Sequence, residues 1–302
     1  MENHSIIDTS TVVWQDYLAL CKLKVVSLIV FTAVVGMFLA TPTMVPWGVL
    51  VYGTIGIGLA ACSAAAINHI VDHRIDSIMA RTLRRQLPKG KVSVLNAIIF
   101  AWFLGTISMG ILAFLVNPLT AGLTALSLIG YGFIYSMFLK RATPQNIVIG
   151  GAAGAAPPVL GWTAVTGTLD PNSLLLFLII FAWTPPHFWA LAIYRRDDYA
   201  SVNVPMLPVT HGVEFTRLHI LLYTIILFIV SLLPYLVGMS GLFYLVGAVL
   251  LGGGFLYYAI RMQYEHEDRL AMQTFSFSII YLMIMFAVLL IDHYILLLAR
   301  VL

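Results

Sequence analysis

Charge is what this chain has least of. Of its 302 residues only 10% are Asp, Glu, Lys or Arg, against about a quarter in a soluble domain, which excludes a surface wetted all round. Cysteine is nearly missing as well. Cys21 and Cys62 sit in or beside apolar segments without metal-ligand spacing, so neither a zinc site nor a disulfide framework is implied, and both read as small buried hydrophobes. There is no dense basic patch, and the formal charge is only +3, which argues against a nucleic-acid partner. Met1 to Asp16 is polar and carries acids rather than the basic start and short apolar run of a cleaved signal. The first apolar segment is therefore expected to stay in the mature protein.

What is present is apolar surface: 61% of the residues are hydrophobic. Apolar runs at 25–41, 47–67, 93–116, 118–139, 146–166, 173–193, 218–237, 241–260 and 275–299 each approach the roughly 20 residues that cross a bilayer core. They predict an all-α bundle of about nine transmembrane helices, partnered by lipid, in a single membrane-embedded domain over 1–302. The separators are turn-rich or charged, among them Thr41-Pro42-Thr43, Asn117-Pro118 and the polar stretch 72–91. With nine crossings, every lysine and arginine except Arg300 falls on one side, which the positive-inside rule makes cytoplasmic. Residues 1–20 are then a cytoplasmic N-terminal segment, the C-terminus lies on the opposite face, and the cell's inner membrane is the expected location.

The densest chemistry is Asn68-His69-Ile70-Val71-Asp72-His73-Arg74-Ile75-Asp76, at the cytoplasmic end of the second run. If the helix continues through it, Asn68, Asp72 and Asp76 fall on one face, a turn apart. A carboxamide and two carboxylates so spaced suit Mg²⁺, which takes one or two protein carboxylates and completes its shell with water and phosphate oxygens. The plainer alternative is a solvated helix end whose acids pair with Arg74 and Arg81. The basic residues that follow, Arg81, Arg84, Arg85, Lys89 and Lys91, can balance a polyanion, though topology alone would also put them there.

A second acidic stretch, Arg195-Arg196-Asp197-Asp198-Tyr199, ends the sixth run on the same side. Two facing acidic ends suit metal ions clamping a diphosphate; an ordinary charged helix cap is the alternative. Within that run, Trp183-Thr184-Pro185-Pro186-His187-Phe188-Trp189 places paired prolines in lipid. They are expected to interrupt the hydrogen-bond ladder where the backbone lines a cavity. His187 is an intramembrane ionisable residue, hence a substrate contact or a histidine bonded to a neighbouring helix. The small residues of Gly150–Pro158 permit close helix packing, or a wall facing substrate.

These residues, in this order, resemble the UbiA-type membrane prenyltransferases, and within them the branch that farnesylates haem. The resemblance runs from about Tyr17 to the last helix. It rests on Tyr17-Leu18-Ala19-Leu20, Val25-Val26-Ser27-Leu28, the Asn68, Asp72 and Asp76 motif continuing into Met79, Arg81-Thr82 and Arg85, and Lys140-Arg141 followed by Thr143-Pro144-Gln145-Asn146. Further on it includes Gly150–Gly161, Pro186-His187-Phe188-Trp189, and Asp197-Asp198-Tyr199 followed by Val204-Pro205-Met206-Leu207-Pro208. Departures are Leu23 and Gln86, where the family usually has proline, and Tyr194, where quinone-pathway relatives carry a second acid four residues before the one matched by Asp198.

The resemblance implies farnesyl diphosphate and haem B as substrates and Mg²⁺ as cofactor. Asn68, Asp72, Asp76 and Asp198 then form the catalytic set, with Asp197 joining them as a metal ligand. Lys24, Arg81, Lys140, Arg141 and Arg195 would neutralise the diphosphate, and His187, Tyr135 and Tyr194 would border haem or prenyl chain. A haem A synthase or terminal oxidase would be an assembly partner. The same residues leave room for a UbiA-type enzyme acting on a quinone or chlorin precursor, a transporter, or a haem-bearing electron-transfer subunit. A transporter favours midplane sites and internal repeats, and an electron-transfer subunit wants paired histidines.

Overall fold

In the computed structural model, which describes residues 13–79, 82–265 and 267–301, the chain is a bundle of helices. In order they are α1 (Trp14–Leu20), α2 (Leu23–Leu39), α3 (Trp47–Asp76), α4 (Val94–Leu115), α5 (Pro118–Ile129), a π-helical segment (Gly130–Leu139), α6 (Lys140–Ala142), α7 (Asn146–Ala155) and α8 (Pro157–Thr166). There follow α9 (Pro171–Tyr194), α10 (Arg196–Ala200), α11 (Leu207–Thr210), α12 (Val213–Leu236), α13 (Leu242–Tyr264) and α14 (Asp268–Val301). Among the described residues eight helical stretches are long and apolar enough to cross a membrane, and α1 with α2, bent by 59°, supplies a ninth when counted as one span. This is an integral, multi-pass membrane protein. Its outward side chains fit lipid: on α4, Trp102 is 74% and Phe114 87% exposed, an exposure of large apolar groups that water would penalise.

Local sequence explains several boundaries. Asn117-Pro118 and Asp170-Pro171 start α5 and α9, each with a side-chain oxygen accepting from a backbone N–H of the first turn and a proline at the first helical position. The fifth span, 146–166, is interrupted only at Ala156, between α7 and α8, where Pro157 opens the second half without a sharp bend. The sixth does not break. α9 runs unbroken through Pro185 and Pro186, contrary to the expectation from sequence, because it is held by α7, α12 and α14 on several sides and tertiary packing outweighs two lost backbone bonds. The fourth span also differs from a plain helix. Its second half is a π-helix, a wider turn that is rare and often lies at functional sites.

With little hydrophobic drive between helices in lipid, close approach and polar contacts hold the bundle. A Cβ added at Gly161 would collide with the Ala33 carbonyl, and one at Gly36 with the Pro158 carbonyl, so α2 and α8 touch backbone to backbone. Ser108 Oγ donates to the Gly56 carbonyl at 2.6 Å and Ser63 Oγ to the Ala101 carbonyl at 2.7 Å, tying α3 to α4. In Gly150–Pro158 the packing reading is favoured at two positions: a Cβ at Gly150 would strike the Tyr135 ring, and one at Gly151 would stand 2.8 Å from Thr184 Cγ2. At the far end, Asp292 of α14 accepts from Gly241 N at 2.6 Å and Tyr244 N at 3.0 Å, capping α13 from another helix.

Candidate functional site

The helix α3 does continue to Asp76, so Asn68, Asp72 and Asp76 share one face, and all three are at least 95% buried. Carboxylates so buried need partners; Lys140 and Arg85 supply them, and Lys22 bonds the neighbouring Asn68. Lys140, at the end of the π-helical span, places Nζ 2.5 Å from Asp72 Oδ2. Arg85, in the turns after α3, places Nη1 2.5 Å from Asp76 Oδ2. Lys22, at the joint between α1 and α2, donates to Asn68 Oδ1 at 2.5 Å. Asn68 Nδ2 in turn donates to Asp72 Oδ2 at 3.1 Å and to Ser136 Oγ at 3.2 Å. Ser136 donates back to the Tyr131 carbonyl at 2.9 Å, five residues earlier, in keeping with the π-helical turn.

Lys22 lies within electrostatic reach of Arg85, Lys140, Asp72 and Asp76. Three basic side chains therefore crowd two carboxylates, a cluster that an anion can complete. Asp72 Oδ1 is buried and has no hydrogen-bond partner among the described residues. An orphaned carboxylate oxygen in such a place is costly unless a cation or donor completes it.

The second acidic end comes to the same region. Ile75, next to Asp76, packs in one apolar cluster with Ile147 of α7, Ile193 of α9, and Tyr199 beside Asp198. Tyr135 stands within electrostatic reach of both Asp72 and Tyr199, and its ring lies against Gly150. Asp198 is partly buried with Arg195 at 3.8 Å, and its Oδ2 makes no hydrogen bond among the described residues.

The other residues singled out from sequence scatter around this centre. Arg141 reaches the Val71 carbonyl at 3.4 Å. Asp197 is 95% exposed and 3.6 Å from Arg196; Tyr194 is half-exposed under the Arg195 guanidinium. Lys24 is exposed on α2. Arg81 lies outside the described residues. His187 is buried, its Nδ1 2.6 Å from Ser278 Oγ and its ring stacked between Trp183 and Phe275.

Sequence reasoning missed Lys22, Ser136 and, as a site residue, Arg85. Arg85 was visible inside the basic run after Asp76. Nothing marked Lys22 over Lys24, and nothing marked the π-helical turn that presents Ser136.

The donors suit Mg²⁺. Among the described residues no three His, Cys, Asp or Glu side chains gather into a cage, yet Mg²⁺ does not want one. Two carboxylates, a carboxamide and an unfilled oxygen on Asp72 leave a shell to be completed by water and phosphate.

A bundle of lipid-facing helices with two buried carboxylates under basic side chains at one end defines a membrane protein with a polar cluster whose charges suit a polyanion. A family model described as the UbiA prenyltransferase family matches residues 29–293. The chain belongs to that family. The protoheme IX farnesyltransferase of Methylococcus capsulatus is 61% identical over 284 residues, covering 94% of this chain and 95% of that protein. Among solved structures, one of digeranylgeranylglyceryl phosphate synthase superposes with a TM-score of 0.78 at 18% identity, covering 92% of this chain and 98% of that one. A UbiA homolog from Archaeoglobus fulgidus bound to GPP and Mg²⁺ does so with a TM-score of 0.60 at 16% identity, covering 91% and 99%.

Proposed function

We propose that this chain transfers the farnesyl group of farnesyl diphosphate to a vinyl group of haem B. The observation that carries the reading is the clasp of Lys22, Lys140 and Arg85 on Asn68, Asp72 and Asp76, in a chain 61% identical to a protoheme IX farnesyltransferase. Asn68, Asp72 and Asp76 would hold Mg²⁺, with Asp198 and Asp197 at the facing end. When bound, the ion would act as a Lewis acid toward the diphosphate oxygens. The Archaeoglobus homolog with GPP and Mg²⁺ supports this choice.

The basic groups bind the leaving group. Lys22, Lys140 and Arg85 stand nearest, with Arg141, Arg195 and Lys24 farther out; Arg81, outside the described residues, is assigned to the diphosphate from the sequence alone. Stabilising negative charge where it develops favours departure of pyrophosphate with the bonding pair, leaving an allylic cation at C1. The apolar interior bordered by Tyr135 and Tyr194 keeps water from that cation. The terminal vinyl carbon of haem B bonds to C1, positive charge passes to the vinyl carbon next to the porphyrin, and water adds there with loss of one proton. The product carries a hydroxyethylfarnesyl group. His187 contacts the haem in this reading.

The whole of 1–302 acts as one domain, set in the inner membrane with the clasp on the cytoplasmic side. A haem A synthase or a terminal oxidase would receive the product. The test incubates detergent-solubilised protein with haem B, farnesyl diphosphate and Mg²⁺ and seeks the farnesylated haem by mass. Turnover should stop with a chelator, return with Mg²⁺, and fall by roughly 100-fold or more in Asp72→Asn; full activity in that variant would sink the role of the clasp.

A further inference from the structure

We infer that Ser278 is a positioning residue that fixes the tautomer of His187, so that the Nε2 lone pair is offered as an axial ligand to the iron of the haem substrate. This rests on the haem reading above and deepens it.

A serine hydroxyl has a single proton to donate. Ser278 Oγ lies 2.6 Å from the Phe275 carbonyl one turn back on α14, and a carbonyl can only accept. The hydroxyl proton is therefore spent there. His187 Nδ1 lies 2.6 Å from the same Oγ, so it must donate. A neutral imidazole with its proton on Nδ1 carries a lone pair on Nε2.

The surroundings keep that arrangement in place. Trp183 Nε1 donates to the Ser278 carbonyl at 2.7 Å, pinning α9 to α14 at the serine. The His187 ring is stacked on Trp183 at 4.1 Å and on Phe275 at 4.5 Å between centroids, with Phe188 edge-on at 4.9 Å. A half-turn of the ring would put carbon against Ser278 and lose the bond. No described residue partners Nε2, and unlike both nitrogens of His69 it is not sealed from solvent. A histidine whose far nitrogen donates to a fixed oxygen, with its near nitrogen bare, is how proteins present imidazole to a metal.

Mg²⁺ prefers oxygen, whereas a haem iron takes an axial imidazole. His187 lies seven residues, about 10 Å along a helix, from Tyr194 and the acidic end. An Fe–N bond perpendicular to the porphyrin would fix the macrocycle, and with it the vinyl group. The iron is neither oxidised nor reduced in this role.

The test uses the full-length protein in detergent, titrated with ferric and ferrous haem B and read by optical, EPR and resonance Raman spectra. Wild type should show a histidine-ligated iron. His187→Ala should lose that signature and regain it with added imidazole; His187→Gln, with thermal stability and farnesyl diphosphate binding measured alongside, guards against misfolding. Ser278→Ala should keep a histidine ligand but bind haem about tenfold more weakly with a lowered Fe–N stretch, and Ser278→Thr should restore both. A wild-type signature surviving in a folded His187 variant, or a Ser278→Ala protein unchanged in affinity and Fe–N stretch, overturns the inference. If wild type farnesylates haem without a histidine signature, only this inference fails; if it neither binds nor farnesylates haem, the functional reading fails with it.

Discussion

At the scale of single residues, the site turns on which of two nearby lysines faces inward. Lys22 has a left-handed backbone, with φ of 50°, unusual for a residue with a Cβ, at the joint where α1 meets α2. From there its ammonium reaches Asn68. Lys24, two residues on, is exposed. Lys22→Met should therefore lower kcat/KM by roughly 100-fold, the scale of removing one preorganised charge donor, while Lys24→Met should cost about threefold or less, as expected of an exposed cation. Steady-state kinetics on both variants decides it; equal losses would mean that the joint moves in the working enzyme. Asn68, Asp72 and Asp76 were legible because helical spacing fixes their shared face. Lys22 was not, because no glycine or asparagine announces its positive φ.

At the scale of elements, tight seams and distant caps separate stability from chemistry. Gly161→Ala would force a Cβ into the Ala33 carbonyl and push α2 from α8. Overpacking of this kind costs about 1–3 kcal/mol. Its melting temperature in detergent should fall by roughly 5 °C, and activity should drop, since α2 carries the Lys22 joint. Asp292→Ala would leave Gly241 N and Tyr244 N without their acceptor. A loss of about 2 kcal/mol is expected, but kcat at low temperature should stay near wild type because Asp292 caps α13, away from the clasp. A Gly161→Ala protein as stable as wild type would show that α2 and α8 can separate freely. The prolines teach the same lesson about elements. Pro157 starts a new helix, whereas Pro185 and Pro186 are carried inside one, and only the packing around each decides which.

At the scale of the molecule, crossing number and charge placement agree. Nine apolar runs were expected, and among the described residues eight long helices plus the bent pair α1–α2 answer to them. If the clasp is cytoplasmic as proposed, single cysteines placed at Lys91 and Thr143 should react with a membrane-impermeant thiol reagent only from the cytoplasmic side, and one at Thr168 only from the other. Labelling of Thr143→Cys and Thr168→Cys from the same side would break the nine-span topology. The background for that experiment needs Cys21 and Cys62 replaced, and neither forms a disulfide.

The sequence by itself determined that the chain lives in lipid, where its apolar helical stretches lie, and which helix face bears the acids, because apolar run length and helical periodicity are local properties of the chain. Only the tertiary structure decided which cations close on those acids and which hydroxyl holds His187. Lys22, Arg85 and Lys140 come from three different connections, and Ser278 stands 91 residues from His187 in sequence; such partners are set by how helices pack, a long-range outcome that no local pattern encodes.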